Sequence, residues 1–449
     1  MWRYLSILAC FIPSWSMGQD QATMALFGGE FSDYGADMLA CQNGGFLSAG
    51  TTSSVNGLNT DIYVVKVDES LNCVWNLVLG TEQTDWVVAV AEDAFNNYYV
   101  CGVTAGLGEG GYDVIVYRIN SDGEIIWQKT FGGEDWDFAN EIEINNNGNL
   151  FIGGSTYNNG NGNADAWLIE LDAFGNIQSE MFFGEEGYDE INALYAFEDG
   201  VLVGGAMEFE DGKHAFLGLL AEDGEWNWFR EFEKEECRFH DIIANENRIF
   251  YVFQFTTALG YLCSSIGAVD FDGQDLWIQA DEVPGDYVIN SLALEGSNLV
   301  ISGYTNYFGT GTDNGYLARR TINGNFVEGI TLGAIQMQFH EVLIYLGEVY
   351  TTGWVEYEEE TLGVDMCIFR YPDVTMSPDA QTTILMTGCL SNSIAENQTG
   401  VAGLMTTRYF DLMGREVDCP HCYTPGSEGS YLVFDHLTNQ IIVCRRQID

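Results

Sequence analysis

The sequence predicts an all-β fold, a seven-bladed β-propeller with four-stranded blades, followed by a small β-sandwich-like module. Three observations predict it. The chain repeats with a period near fifty residues, each period holds four short apolar runs, and turn-forming residues separate the runs. A β-solenoid is the rival fold, but its coils are shorter than this period and do not contain four strands per repeat. The residue that opens the third run recurs at this period, as Asp61, Asp113, Asp165, His214, Cys263, Asn314 and Asp365.

The clearest repeat covers residues 85–132 and predicts strands at 87–91, 98–103, 113–119 and 124–131. Asn96-Asn97 and Ser121-Asp122-Gly123 lie between these runs and are typical of hairpin turns. A glycine ends the second strand of six repeats, at Gly50, Gly102, Gly154, Gly205, Gly303 and Gly353. In the fifth repeat Gln254 occupies that position. A tryptophan in the fourth strand is expected to fill the gap between neighbouring sheets, at Trp75, Trp127, Trp228 and Trp277.

The two ends of the repeat array are expected to join. The last repeat, residues 339–371, shows only three strands. The segment from Met24 to Phe27 is apolar and precedes Gly28-Gly29, as Phe131 precedes a glycine pair. We therefore expect it to be the outer strand of the last blade, which would remove the free sheet edges of an open array.

The N-terminus has the features of an export signal. Arg3 precedes an apolar stretch at 5–13, and small residues lie at 16–18. We divide the chain into a signal peptide (1–18), a propeller (19–371), a linker or first tail strand (372–400) and a C-terminal β module (401–449). No segment has the ~20 apolar residues of a transmembrane helix. The expected location is secreted or at the cell surface.

The net charge excludes some partners. The chain has 16 Lys and Arg residues against 67 Asp and Glu, a formal net charge of −51. Such a surface repels phosphate backbones and anionic lipids, so we expect no nucleic-acid partner. No cofactor is predicted. Calcium is the one ion left open, because divalent cations would screen the repulsion.

The loops from each outer strand to the next inner strand carry an acidic and aromatic pattern. One hypothesis is a ring of aromatic platforms and carboxylates around the central channel, which binds a sugar, a peptide or a cation. The other, which we favour because the pattern recurs in nearly every repeat, is structural: the aromatics wedge between blades and each Asp accepts backbone N–H bonds. The candidate binding residues are Tyr34, Trp86, Phe138, Tyr188, Phe239, Tyr287, Phe339, Glu134, Asp137 and Glu186.

His240 and His340 break the symmetry of the repeats, and each is followed by a carboxylate. They are added to the binding candidates, although lone histidines are more often polar loop residues, and no metal site is predicted. Cys419 and Cys422 are the candidates for a local disulfide. A turn follows this pair in place of a helix N-terminus, which disfavours redox catalysis, and too few ligands lie nearby for zinc. The chain lacks the Gly-x-Ser-x-Gly, Walker and His-Glu-x-x-His motifs, so no catalytic residue is predicted.

Two parts of the sequence resemble known families. The repeat has an Asp or Asn, a turn glycine and a tryptophan, and this pattern resembles the tryptophan-docking motif of quinoprotein-dehydrogenase-like propellers. It looks more like the propeller repeats of exported Bacteroidetes proteins than like that motif. The tail is similar to the C-terminal sorting domain of the type IX secretion system, which implies recognition by outer-membrane secretion machinery. A small β-sandwich beside the propeller is the alternative. The residues that match the sorting domain are Tyr409, Asp411, Gly414, Arg415, Val417, Gly429, Tyr431, Arg445 and Arg446.

These observations predict a secreted or cell-surface propeller that acts as a non-enzymatic binding protein, with a glycan or a protein as ligand. The alternative is an extracellular enzyme that cleaves a polysaccharide or peptide with carboxylates on its acidic face. The two differ in how the carboxylates are arranged. An enzyme needs two that converge in different environments, whereas a scaffold shows evenly repeated, solvated ones.

Overall fold

The computed structural model describes residues 23–371, apart from gaps at 30, 55–58, 160–162, 199, 211, 233–236, 282, 308–312, 333–335 and 357–363. It also describes tail strands within 385–445, at 385–389, 409–411, 416–417, 430–435 and 440–445. These residues form strands and turns, and none of them lies in a helix. The predicted signal peptide, residues 1–18, lies outside the described residues.

The first repeats each form a four-stranded antiparallel sheet whose strands follow chain order. One sheet contains β2 (Asp33–Ala40), β3 (Phe46–Thr52), β4 (Asp61–Val67) and β5 (Cys73–Leu79). The next contains β6 (Asp85–Glu92), β7 (Tyr98–Thr104), β8 (Asp113–Ile119) and β9 (Ile125–Phe131). It is followed by β10 (Asp137–Ile144), β11 (Leu150–Thr156), β12 (Asp165–Leu171) and β13 (Ile177–Phe183). The strands predicted for residues 85–132 agree with β6 to β9 to within about two residues.

The later repeats follow the same order. One sheet contains β14 (Glu190–Ala196), β15 (Gly200–Phe209), β16 (Gly212–Ala221) and β17 (Trp226–Phe232). The next groups are β18 (Arg238–Ala244), β19 (Ile249–Thr256), β20 (Leu262–Val269) and β21 (Asp275–Ala280), then β22 (Tyr287–Glu295), β23 (Asn298–Thr305), β24 (Asn314–Thr321) and β25 (Phe326–Leu332). A single parallel bridge between Cys263 and Tyr287 joins these two groups.

The last sheet combines both ends of the array. It contains β26 (Gln336–Tyr345), β27 (Glu348–Glu356), β28 (Val364–Tyr371) and the N-terminal β1 (Thr23–Phe27), which pairs antiparallel with β28. The expected pairing is therefore present. However, β29 (Leu385–Cys389) pairs in parallel with β1, so β1 is not the outermost strand of this sheet. The predicted linker region 372–400 thus supplies the edge strand.

The innermost strands form a closed series of contacts. In chain order, β2, β6, β10, β14, β18, β22 and β26 each contact the next, and β26 contacts β2. Between the sheets lie buried apolar clusters, each built from residues of neighbouring sheets. An all-β chain whose four-stranded sheets contact one another in this order is a β-propeller.

Every inner strand has a β-bulge two to four residues after its start, and this bulge shifts the register of the pairing by one residue. The residues just before it pair with the recurrent glycines, as Gly35 does with Gly50 and Ile289 with Gly303. In the fifth repeat Phe239 pairs with Phe253, so Phe253 and not Gln254 occupies the glycine position. The sequence assignment was wrong by one residue because the spacing between successive repeats is not constant.

The recurrent tryptophans dock on the next sheet, as expected. Trp75 donates its indole N–H to the carbonyl of Ser121 at 3.0 Å, and Trp228 donates to Phe271 at 2.9 Å. Both carbonyls belong to turns between the third and fourth strands of the following sheet. The glycine of that turn lies against the indole, since a Cβ on Gly123 would be 3.1 Å from Trp75. Trp127 and Trp277 repeat the contact.

The tail forms a separate antiparallel sheet in the order β31-β30-β32-β33. Its strands are β30 (Tyr409–Asp411), β31 (Glu416–Val417), β32 (Ser430–Asp435) and β33 (Gln440–Arg445). Five of the predicted sorting residues lie on these strands: Tyr409, Asp411, Val417, Tyr431 and Arg445. The others, Gly414, Arg415, Gly429 and Arg446, lie outside the described residues, as do Cys419 and Cys422.

Candidate functional site

One edge of the sheets carries a group of aromatic side chains. In an antiparallel sheet, the starts of the first and third strands and the ends of the second and fourth lie at the same edge. Tyr112 precedes β8, Tyr157 follows β11, and Trp136 and Tyr188 lie in loops between sheets. With Trp86 and Phe138, at the starts of β6 and β10, they form what we call the aromatic face: Trp86, Tyr112, Trp136, Phe138, Tyr157 and Tyr188.

Five of the six rings form a continuous path. Ring centroids are 5.2 Å apart for Trp86 and Tyr112, 6.1 Å for Tyr112 and Trp136, and 5.8 Å for Trp136 and Tyr157. Tyr157 and Tyr188 continue it at 6.2 Å. Trp136 is the most exposed of these rings, at 50%, and the other five are partly buried. The face therefore presents apolar surface to solvent on a support of packed rings.

Charged groups surround the aromatic face. The side chains of Glu134 and Glu186 are exposed beside it. At its far end the ammonium group of Lys213 lies 4.4 Å from the centroid of the Tyr188 ring and 2.9 Å from Glu190 Oε1. These groups can donate and accept hydrogen bonds around an apolar centre, which is the usual composition of a ligand site.

The other predicted aromatics do not join this face. Tyr34 is exposed and packs edge-on against Trp354 of the last sheet, with centroids 5.9 Å apart. Phe239, Tyr287 and Phe339 are buried in the clusters between sheets. Side chains alternate between the two faces of a strand, so a displacement of one residue relative to Trp86 turns Phe239 and Phe339 into the core.

Asp137 has the structural role that the sequence favoured. It is buried, and its Oδ2 accepts hydrogen bonds from the backbone N–H of Gly133 at 2.8 Å and from the Asn158 amide at 2.7 Å. Asp85 accepts the corresponding N–H of Thr81 at 2.6 Å. Asp137 therefore orders the loop that carries Trp136.

A second group of candidate side chains lies at the axis of the ring. The residue after the bulge is acidic in alternate sheets, and Glu143 lies two residues farther along β10. The group, which we call the axial carboxylates, is Asp37, Glu141, Glu143, Asp241 and Glu341. β2 and β26 are neighbours in the ring, whereas β2, β10 and β18 are not neighbours of one another. The charges of Asp37 and Asp241 nevertheless raise the pKa values of Glu141 and Glu143. The carboxylates must therefore face one another across the centre.

Burial dominates the electrostatics of these groups. It raises the pKa of Asp37 and of Asp241 to about 6, although each accepts a backbone N–H from the next sheet, from Val90 at 2.7 Å and Leu292 at 2.6 Å. Burial and the charges of Asp241 and Asp37 raise the pKa of Glu143 to about 8. The axial carboxylates thus retain protons above the usual range of Asp and Glu.

His240 and His340 are the bulged residues of β18 and β26, so they are not loop residues. Burial lowers the pKa of each to about 4, and for His240 the charge of Arg238 lowers it further. His240 Nε2 lies 3.1 Å from Gln254 Oε1, and His340 Nε2 is buried without a hydrogen-bond partner. Both imidazoles are therefore neutral near pH 7.

Sequence reasoning missed several of these residues. Trp136 adjoins the predicted Asp137, and an exposed tryptophan in a loop was the available signal. Asp37 and Glu141 each lie four residues after a recurrent Asp, at Asp33 and Asp137, but their convergence depends on the bulge. Within the described part of the chain, no group of three or more His, Cys, Asp or Glu side chains is placed to hold a metal ion. No helix of that part could cross a bilayer.

Solved structures support the fold. The chain has no significant match among protein-family models or curated proteins. It is similar to the polysaccharide lyase Uly1, with a TM-score of 0.50 and 11% identity over 80% of this chain and 94% of that one. Drosophila Plexin A in complex with Semaphorin 1b gives 0.49 and 10% identity over 79% and 88%, and the phage phi92 endosialidase gives 0.45 and 10% over 95% and 87%. The likeness to Uly1 shows the β-propeller fold alone.

The axial carboxylates predict that stability falls as pH rises. Their pKa values are higher in the folded chain than in the unfolded one, so the folded state holds protons that the unfolded state has released. The contribution of these protons to the free energy of unfolding is fully present below about pH 4. It is lost as pH rises through about 6 for Asp37 and Asp241, and through about 8 for Glu143. We expect a lower melting temperature at about pH 8.5 than at about pH 5.5.

The variant Glu143→Gln should flatten this decline between about pH 6.5 and 8.5, because the amide does not ionise. Glu222→Gln, at an exposed turn, is the control and should leave the profile of the native chain unchanged. A native melting temperature that rises with pH, or an unaltered profile for Glu143→Gln, would contradict the assignment.

Proposed function

We propose that this protein is a seven-bladed propeller that binds its ligand through the aromatic face and performs no catalysis on it. The closed series of contacts among the seven described inner strands supports the blade count. The observation that carries the binding function is a path of five contiguous rings, with Phe138 packed beside it and Trp136 half exposed at its centre. A contiguous, partly exposed aromatic surface is typical of an interaction site.

A neutral glycan is the ligand class that fits best. One face of a sugar ring is lined by C–H groups and packs on an aromatic plane, and the hydroxyl groups bond to polar side chains at the edge. Glu134, Glu186 and the Lys213–Glu190 pair supply those polar groups. The net charge of −51 disfavours anionic polysaccharides. A protein ligand would use the same aromatic anchors and is the other outcome of the binding test.

The variant Trp136→Ala should weaken glycan binding by roughly 5- to 30-fold, the effect of losing about 1–2 kcal/mol at a central aromatic contact. Affinity electrophoresis and a glycan array against neutral and anionic polysaccharides measure it. Phe174→Ala is the matched control, because Phe174 is an exposed aromatic in a turn at the opposite sheet edge.

Binding that is equal for the native chain and Trp136→Ala would exclude the aromatic face as the glycan site. Retention of a protein partner with no glycan bound would replace the ligand class while keeping the site.

Polysaccharide or peptide cleavage is the second candidate function, and the axial carboxylates favour it because raised pKa values are typical of acid–base catalysts. Glu134, Asp137 and Glu186 do not support it, since Asp137 is buried in a turn and the other two are exposed. The axial carboxylates share one environment, whereas a catalytic pair needs two different ones. Product release from a polysaccharide that Glu141→Gln abolishes would establish the enzyme function.

We also propose export and surface location, supported by the signal-like residues 1–18 and by the tail's resemblance to a sorting domain. The tail's own four-stranded sheet suits a module that secretion machinery reads apart from the propeller.

Removal of residues 401–449 should leave the propeller folded but retained inside the cell envelope, whereas the full-length chain should reach the medium or the cell surface. Fractionation and surface protease treatment of cells with a type IX system measure this. Equal export of the two chains would exclude a sorting role for the tail.

A further inference from the structure

At three successive junctions between sheets, two carboxylates approach the same glycine. Asp33 of β2 and Asp365 of β28 meet at Gly28, where a Cβ would lie 2.4 Å from Asp33 Oδ2 and 2.7 Å from Asp365 Oδ1. The arrangement repeats twice. At Gly80 the distances are 2.6 Å to Asp61 Oδ1 and 2.8 Å to Asp85 Oδ2, and at Gly132 they are 2.4 Å to Asp113 Oδ1 and 2.5 Å to Asp137 Oδ2.

One oxygen of each inner-strand Asp is satisfied and the other is not. Asp33 Oδ2 accepts hydrogen bonds from the backbone N–H of Gly29 at 2.8 Å and from the Ser54 hydroxyl at 2.9 Å. The Oδ1 atoms of Asp33, Asp85 and Asp137 are buried and have no hydrogen-bond partner. All three side chains are fully buried, so an unpaired oxygen there is costly.

Tyr63 gives an independent indication of a missing group. Its side chain is 3% exposed, and its hydroxyl has no hydrogen-bond partner. Burial and the charges of Asp33 and Asp365 raise its pKa, so the hydroxyl lies near both carboxylates. The Tyr63 hydroxyl and Asp33 Oδ1 therefore both lack a partner in one buried region, and a species that bridges them would satisfy both.

The inner-strand carboxylates of these junctions lack a basic partner among the described residues. In the described part of the chain, no Lys or Arg forms an ion pair with Asp33, Asp85 or Asp137. Two facing carboxylates in a buried space are unfavourable unless a cation or a shared proton compensates them. We propose that a calcium ion binds at each of these three junctions, held by the facing carboxylates and neutral oxygen atoms.

Calcium fits this chemistry better than other ions. The donors are carboxylate and hydroxyl oxygens, which hard cations prefer, and two carboxylates match a divalent charge. Ca²⁺ accepts irregular coordination completed by backbone carbonyls and water, whereas Mg²⁺ requires near-ideal octahedral geometry. The ions would bind neighbouring sheets together, and their binding requires no ligand on the aromatic face, so this inference does not depend on the proposed function.

The chain contains a matched position without these features. Asp286 occupies the same place in the sixth repeat, but both of its oxygens are partnered, Oδ1 by the N–H of Leu262 at 2.9 Å and Oδ2 by the Asn306 amide at 2.7 Å. The opening residue of the preceding third strand is Cys263, which carries no carboxylate. No calcium is expected there.

Calcium binding to the full chain, stripped with a chelator and dialysed, tests the proposal by calorimetry and equilibrium dialysis with CaCl₂. We expect binding in the millimolar range or tighter, and a lower calcium content for Asp33→Asn by one ion per chain. Tyr63→Phe should weaken one site about tenfold, because it removes a neutral ligand. Asp286→Asn should bind calcium like the native chain.

The proposal is overturned if the native chain takes up no calcium above a buffer blank, if NaCl of equal ionic strength reproduces the heat, or if Asp33→Asn binds as many ions as the native chain. Should Asp33→Asn not fold, Asp85→Asn and Tyr63→Phe carry the same comparison at their own junctions. Bound calcium that none of the three substitutions alters would place the ions elsewhere and also overturn it.

Discussion

The architecture depends on the pairing of the N-terminal strand β1 with β28. The side chains of β1 alternate between two clusters. Met24 and Leu26 pack with Phe339 and Phe369 and with residues of the preceding sheet, whereas Phe27 packs with residues of the first sheet. Each large side chain buried in this way contributes about 1.5–3 kcal/mol. One short strand therefore joins the beginning and the end of the repeat array and both neighbouring sheets.

Closure also explains the character of the two candidate sites. A ring brings the inner strands around one axis, so the residue after each bulge faces its counterparts, and acidic residues there shift one another's pKa. The loops at one edge are ordered by buried Asp residues such as Asp137, which hold the aromatic face in place. The aromatic face and the axial carboxylates are thus consequences of one repeat, in which some copies carry functional side chains and others do not.

Much of the fold could be predicted because a propeller repeat leaves a strong signal. The four-strand period, the tryptophans that dock on the next turn and the spare N-terminal strand all follow from local patterns. The register could not be predicted, since a bulge adds one residue without a sequence signature. Trp86 lies two residues before the bulged position and is at the surface, whereas Phe239 and Phe339 lie one residue before it and are in the core. The bulge also concealed the axial carboxylates, whose members are far apart in sequence and meet only when the ring closes. Trp136 was missed for a simpler reason, because it lies outside the repeating pattern.

Hydrogen exchange of the backbone amides in 23–27 tests the closure most directly. If β1 holds the ring together, its amides that bond to β28 exchange only through global unfolding, with the same protection as those of 364–371 and the same response to denaturant. Exchange of the β1 amides at the rate of an open loop, while β28 remains protected, would show that the strand is not part of the sheet and would contradict the closed ring.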